Sequence, residues 1–194
     1  MNEELTQYFV PITSGETDGN GVIVGSILLT AGHVIRPNQV FSYKYQGHWH
    51  RLLDENKIVL YDEDIREDGC FNDFAAFRLS DINSPLKLAE ELPGGGQIME
   101  NISWKHVVKS TPTSGTGLFA QNVIEYLEPH LIKATVREPL GHCIACDMTD
   151  PLEPGFSGSA LVADTLVYGI LHRGSQDDME GIFQSSISII NLLR

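Results

Sequence analysis

The chain predicts an all-β fold, two antiparallel β-barrels followed by a short C-terminal helix, on three observations. Eighteen glycines and nine prolines punctuate its 194 residues, leaving little room for long helices. The apolar runs between them are short and bounded by turn residues, as strands are. A stretch from Ser80 to Gly96, with Pro85, Pro93 and three consecutive glycines, separates one set of runs from another and reads as a crossover. The expected layout is a first barrel over 1–80, the crossover over 81–96, a second barrel over 97–186 and a helix over 187–194.

In the first set, strands are expected at Tyr8 to Ile12, Val22 to Leu29, Phe41 to Tyr45, Trp49 to Leu53, Lys57 to Tyr61 and Phe74 to Leu79. The second set runs through Ile98 to Val108, Gly117 to Gln121, Val123 to Tyr126, Leu131 to Val136, Cys143 to Met148, Ser159 to Val162, Val167 to Leu171 and Gly181 to Ser185. Ile187 to Leu193 has helical spacing instead. No repeat or low-complexity tract interrupts the pattern.

Composition bounds the function. A hydrophobic content of 42% suffices for one domain or for two small packed subdomains sharing a cleft. The net charge is −13 with no basic cluster, which argues against nucleic acid as a partner because phosphate contacts need a basic face. No apolar stretch approaches the roughly 20 residues that span a bilayer, so no membrane partner is expected. The start, Met1-Asn2-Glu3-Glu4, is acidic where a secretory signal is basic and then apolar. Three cysteines cannot all pair internally, so a reducing, cytoplasmic setting is expected. The oligomeric state is left open.

Three strings carry chemistry: Leu29-Thr30-Ala31-Gly32-His33-Val34, Asn72-Asp73-Phe74-Ala75-Ala76-Phe77 and Pro154-Gly155-Phe156-Ser157-Gly158-Ser159. A serine hydroxyl is a poor nucleophile at neutral pH, so an imidazole must take its proton during attack and return it to the leaving amine. His33 is the candidate base. That imidazole needs a buried carboxylate on its other nitrogen to fix the tautomer, and Asp73 is the candidate. Glycines around Ser157 allow a tight turn that brings the amides of Gly155 and Ser157 toward a developing oxyanion. Taken singly, each string reads as a turn, a core histidine or a strand cap. Their joint occurrence is what carries the reading.

On these strings the chain resembles the chymotrypsin-like (trypsin-like) serine peptidases, which place His, Asp and Ser in this order. Thr30-Ala31-Gly32-His33-Val34 is similar to the family's histidine box, Asp73-Phe74-Ala75-Ala76-Phe77 to its aspartate box, and Gly155-Phe156-Ser157-Gly158-Ser159 to its serine box. His33 and Asp73 lie 40 residues apart, and Asp73 and Ser157 lie 84 apart, as in the shorter bacterial members. Gly19-Asn20-Gly21-Val22-Ile23-Val24 resembles the strand leading to the histidine, and Val167 to Gly174 resembles the substrate-pairing strand. The resemblance implies two six-stranded antiparallel barrels with the active site in the cleft between them. It implies peptide-bond hydrolysis on an extended peptide or protein substrate, with no cofactor. Phe156 replaces the aspartate that anchors the new amino terminus in digestive members, so zymogen activation is not expected. Ser159 replaces a glycine.

The specificity pocket is less defined. Asp150 lies one residue farther from Ser157 than the aspartate of trypsin, and Pro151 holds the trypsin spacing. His172 resembles, offset by one position, the pocket histidine of glutamyl endopeptidases and picornaviral proteases. Asp150, His172, Arg173 and Gly174 are therefore expected at the substrate, with a structural or rim histidine as the competing reading of His172. No metal is assigned. His142-Cys143-x-x-Cys146 with distant Cys70 leaves zinc open but lacks a second ligand pair. The acidic run Asp62 to Asp68 reads as a solvated loop rather than a calcium loop. Two functions from different classes stand: an active endopeptidase acting through an acyl-enzyme at Ser157, and a catalytically silent member of the fold that captures peptides by strand pairing. An esterase is a third, weaker reading.

Overall fold

A computed structural model describes residues 3–14, 18–36, 39–65, 71–112, 121–175, 177 and 179–194, with side chains undescribed at 3, 62–65, 71, 108–112 and 121–125. After a one-turn helix α1 (Glu3–Thr6), seven strands form the first sheet: β1 (Phe9–Thr13), β2 (Asp18–Val24), β3 (Ile27–Thr30), β4 (Phe41–Tyr45), β5 (His48–Leu52), β6 (Lys57–Ile65) and β7 (Phe71–Arg78). Their order across the sheet is β5-β4-β1-β2-β3-β7-β6. A short strand β8 (Lys87–Leu88) lies in the crossover. The second sheet contains β9 (Ile98–Pro112), β10 (Gln121–Pro139), β11 (Cys143–Met148), β12 (Ala160–Ala163), β13 (Leu166–Ser175) and β14 (Glu180–Ser185), before helix α2 (Ser186–Leu193).

The second sheet is a closed barrel. Its order β12-β9-β10-β11-β14-β13 returns on itself because β12 also pairs with β13, while β8 joins the outer edge of β13 in parallel. Closure removes exposed strand edges. The chain is thus an all-β double barrel with a short C-terminal helix, as its pattern predicts. The helix is capped by Ser185, whose Oγ accepts from the Ser188 amide.

Two differences from the expected strands have local causes. The run Val22 to Leu29 is two strands, because Gly25, at φ +55°, turns the chain and pairs Val24 with Ile27. Both arms are apolar, so the run showed no break. The runs at 123–126 and 131–136 are one strand, β10, paired continuously with β9. Pro129 is tolerated there because β11 pairs only with Ala134–Pro139, leaving that edge of Pro129 open. The expected strand at 117–121 lies outside the described residues except for Gln121.

Apolar side chains form three clusters. One fills the first barrel around Val10, Ile23, Leu28 and Phe77, and another fills the second around Ile132, Ile144, Leu161 and Phe183. The third joins the two, with Phe9, Val22, Leu29 and Phe74 from the first sheet meeting Ile102, Ala160, Val167 and Ile170 from the second. Alternation along β7 explains how one strand serves two clusters: Ala75 and Phe77 face into the first barrel, and Phe74 and Ala76 face the junction. Burying those residues fixes how the barrels meet, and hence where their loops converge.

Candidate active site

His33 lies on a 3-10 turn, Gly32–Val34, directly after β3. Ala31 and Val34 are buried on either side, which leaves the imidazole between them partly exposed. Gly32 is required by space. A Cβ there would sit 1.6 Å from the Tyr61 carbonyl oxygen of β6 and 2.9 Å from Asp73 Oδ1. The turn can therefore lie directly against β6 and the carboxylate only without a side chain.

Asp73, on β7, is 1% exposed and held from both barrels. From the first barrel, the His33 backbone amide donates to Oδ1 at 2.8 Å, and His33 Nδ1 lies 2.7 Å from Oδ2. From the second, His172 Nδ1 on β13 lies 2.5 Å from the same Oδ2, and the Asp73 amide donates to the Gln184 side-chain oxygen on β14 at 2.8 Å. Burial pushes the Asp73 carboxyl up, but the hydrogen bonds from His172 and then His33 outweigh it and hold the group well below the usual carboxylate range. An ionised carboxylate only accepts, so both Nδ1 atoms donate.

Ser157 reaches the cleft from the loop between β11 and β12. Its carbonyl accepts from the Asn20 amide of β2 at 2.8 Å. A Cβ at Gly19 would lie 3.2 Å from that carbonyl oxygen and 2.7 Å from a methyl of Val34, the residue after His33. The Ser157 loop and the histidine turn therefore meet at one place. Gly155 (φ +93°) and Gly158 (φ +84°) supply the left-handed backbone on either side of Ser157. The Phe156 amide closes a turn on the Glu153 carbonyl, and the Gly158 amide donates to the Leu171 carbonyl of β13.

Asn20 was not singled out by the sequence. It is 1% exposed, its side-chain amide donates to the Gly155 carbonyl at 2.7 Å, and its side-chain oxygen accepts from the Trp104 amide at 2.6 Å. In the sequence it is a polar residue between Gly19 and Gly21, ahead of the apolar run that begins at Val22. Gln184 was missed likewise, as a lone amide in the apolar strand Ile182-Phe183-Gln184. Neither contact is local in sequence.

Beside Ser157 lies a cleft of about 260 Å³ lined by Leu152, Glu153, Pro154, Phe156, Ser157, Leu171 and Gly174. Gly174 is part of that lining. His172 is outside it: it sits where β13 shifts register against β14, between Leu171 and Arg173, and its ring reaches Asp73 with 6% exposure. Arg173 is exposed and outside the lining, and Asp150 is an exposed group whose carboxylate accepts from Thr149 Oγ1.

His33, Asp73 and His172 also bring three potential metal-binding atoms within 4.8 Å of one another. Their nitrogen–oxygen distances of 2.5 and 2.7 Å are those of hydrogen bonds, whereas ligands at roughly 2 Å from one tetrahedral ion stand farther apart. Cys143 and Cys146 are three residues apart on β11, which places them on opposite faces and prevents them from sharing an ion. Cys146 is buried in the second core, where desolvation pushes its thiol up to about 12. Cys70 and the acidic run after Ile65 lie outside the described residues.

The fold and the convergence of His33, Asp73 and the Ser157 loop define a class, the chymotrypsin-like double barrel. Solved structures of that class superpose on nearly the whole chain. An inactive form of Rv3671c from M. tuberculosis H37Rv matches with a TM-score of 0.68 at 16% identity, over 98% of this chain and 86% of that one. Kallikrein-related peptidase 10 matches with a TM-score of 0.66 at 15% identity, over 100% and 96%. A catalytically inactive tobacco etch virus protease complexed with substrate matches with a TM-score of 0.61 at 13% identity, over 99% and 86%. No protein-family model and no curated protein matches the chain. It has the fold of the chymotrypsin-like serine peptidases.

Proposed function

We propose that this protein is a serine endopeptidase in which Ser157 is the nucleophile, His33 the general base and Asp73 the residue that orients His33. The observation that carries this reading is the two-point grip of the Asp73 carboxylate on His33, through the backbone amide at 2.8 Å and Nδ1 at 2.7 Å. That grip sits where the Ser157 loop docks. It fixes the Nδ1–H tautomer and leaves Nε2 as the nitrogen able to accept the serine proton. Asp73 is ionised across the physiological range, so it stabilises the imidazolium formed during attack.

In the proposed reaction Ser157 Oγ attacks the scissile carbonyl while His33 takes its proton. The oxyanion is received by the amides of Gly155 and Ser157, the proton passes to the leaving amine, and water then hydrolyses the acyl-enzyme by the reverse roles. No cofactor is required. The substrate is an extended peptide pairing with the β13 segment that follows Leu171. A tobacco etch virus protease of the same fold is known complexed with substrate, which supports a peptide substrate.

Leu152, Phe156 and Leu171 make the adjoining cleft apolar, and its one carboxylate, Glu153, is engaged by Lys105 at 2.5 Å. Peptides with an apolar side chain before the scissile bond should be cut at least about tenfold faster than those with a basic one. A peptide library read by mass spectrometry measures this. A fluorophosphonate should add covalent mass at Ser157, and the label should vanish in Ser157→Ala. Well-folded wild-type protein that takes no label would instead identify a peptide-binding module without catalysis.

A further inference from the structure

We infer that His172 is a positioning residue for the relay, holding the Asp73 carboxylate through its Nδ1–H rather than recognising substrate. This rests on the proposed assignment of His33 and Asp73 to the relay and extends it to a fourth side chain. Three observations support it. His172 Nδ1 lies 2.5 Å from Asp73 Oδ2, the same oxygen that His33 Nδ1 approaches at 2.7 Å. The two rings stand nearly perpendicular, at 74° with centroids 6.2 Å apart, so both nitrogens reach one oxygen without crowding. Finally, His172 is 6% exposed and is not among the residues lining the cleft beside Ser157.

The arrangement has a physical consequence. Oδ1 is held by the His33 amide, so Asp73 cannot rotate without losing that bond. A second donor on Oδ2 removes the remaining freedom and withdraws part of the carboxylate's charge from His33. The titratable groups facing this carboxylate among the described residues are His33, from the turn after β3, and His172, from β13. From β14 it is the uncharged Gln184 that contacts Asp73. His172 also ties the two halves of the relay together, since Asp73 belongs to the first barrel and β13 to the second.

The test compares His172→Leu, which keeps bulk and removes the donor, with His172→Asn, whose amide nitrogen falls near the position of Nδ1. With a cleaved peptide, the leucine variant should lose about 10- to 100-fold in kcat, with KM changed less than about twofold. The acid limb of its kcat/KM profile should move to higher pH, because a carboxylate with one donor fewer stabilises the His33 cation more strongly. The asparagine variant should recover most of both. A leucine variant that folds with unchanged kcat and acid limb, or an asparagine variant no better than leucine, overturns the inference. Should the leucine variant not fold, the comparison of asparagine with wild type stands alone, and equal acid limbs and kcat are then required. Failure of the enzymatic reading is separable: an NMR titration of His33 in the Ser157→Ala background needs no turnover. It should still show an upward shift of about half a pH unit or more on adding His172→Leu. No shift overturns the inference whether or not the protein cleaves peptides.

Discussion

Asp73 is the most closely held residue of the proposed site: its carboxylate and amide have partners from the histidine turn, β13 and β14. In the folded state its carboxyl lies below its ordinary value of 3.8, so the folded protein binds fewer protons there than the unfolded chain. The stabilisation this supplies is complete above about pH 5 and is lost as pH falls through about 4 toward the folded value. Asp73→Asn should remove that contribution, flattening the decline of the urea midpoint between about pH 5 and 3 relative to wild type. The same variant should lower kcat by about 10⁴-fold, the effect of an equivalent change in the trypsin relay, because the amide favours the wrong tautomer of His33. Peptide hydrolysis at saturating substrate measures it.

At the scale of the element, the turn Gly32–Val34 shows how little space separates the parts of the site. Gly32→Ala places a methyl 1.6 Å from the Tyr61 carbonyl oxygen, a backbone atom that cannot step aside without disturbing the β6–β7 ladder. The substitution should destabilise the protein by about 3 kcal/mol or more. Gly47→Ala is the control: its φ is +82° but nothing lies within 4 Å, so only left-handed strain, about 1 to 2 kcal/mol, is expected. Urea unfolding of the two variants separates close approach from strain. A register shift within β13 accompanies a comparable choice at the other end of the site. Between Leu171 and Arg173 the strand slips by one residue against β14, and Leu171 lines the cleft while His172 reaches the carboxylate.

The whole molecule is held in its working form by contacts that cross between the barrels. Beyond the shared apolar cluster, Asn20 binds Trp104 and the Gly155 carbonyl, and Gln184 accepts from Asp73. Asn20→Ala leaves the half-buried Trp104 amide and Gly155 carbonyl without these partners, which should cost about 1 to 2 kcal/mol of stability. Releasing the Gly155 peptide should also lower kcat by about 10- to 100-fold, since an oxyanion donor depends on that backbone's orientation. Calorimetry and steady-state kinetics on one preparation report both losses. Among the described residues no helix is long and apolar enough to cross a membrane.

The sequence by itself determined the all-β class, the approximate strands, and the candidacy of His33, Asp73 and Ser157. These features are written locally, in strand-length apolar runs, in glycines that a tight turn requires, and in short boxes around each reactive group. Only the tertiary structure decided which other side chains attend them. Gln184 lies 111 residues from Asp73 and His172 lies 99 away, so nothing in the neighbouring sequence marks either contact. His172 was legible as a candidate but its contact with Asp73 was not, because that contact depends on the register of β13 against β14, which shifts between Leu171 and Arg173. Register is fixed by how the two barrels bury their common core, and that packing is a property of the assembled molecule.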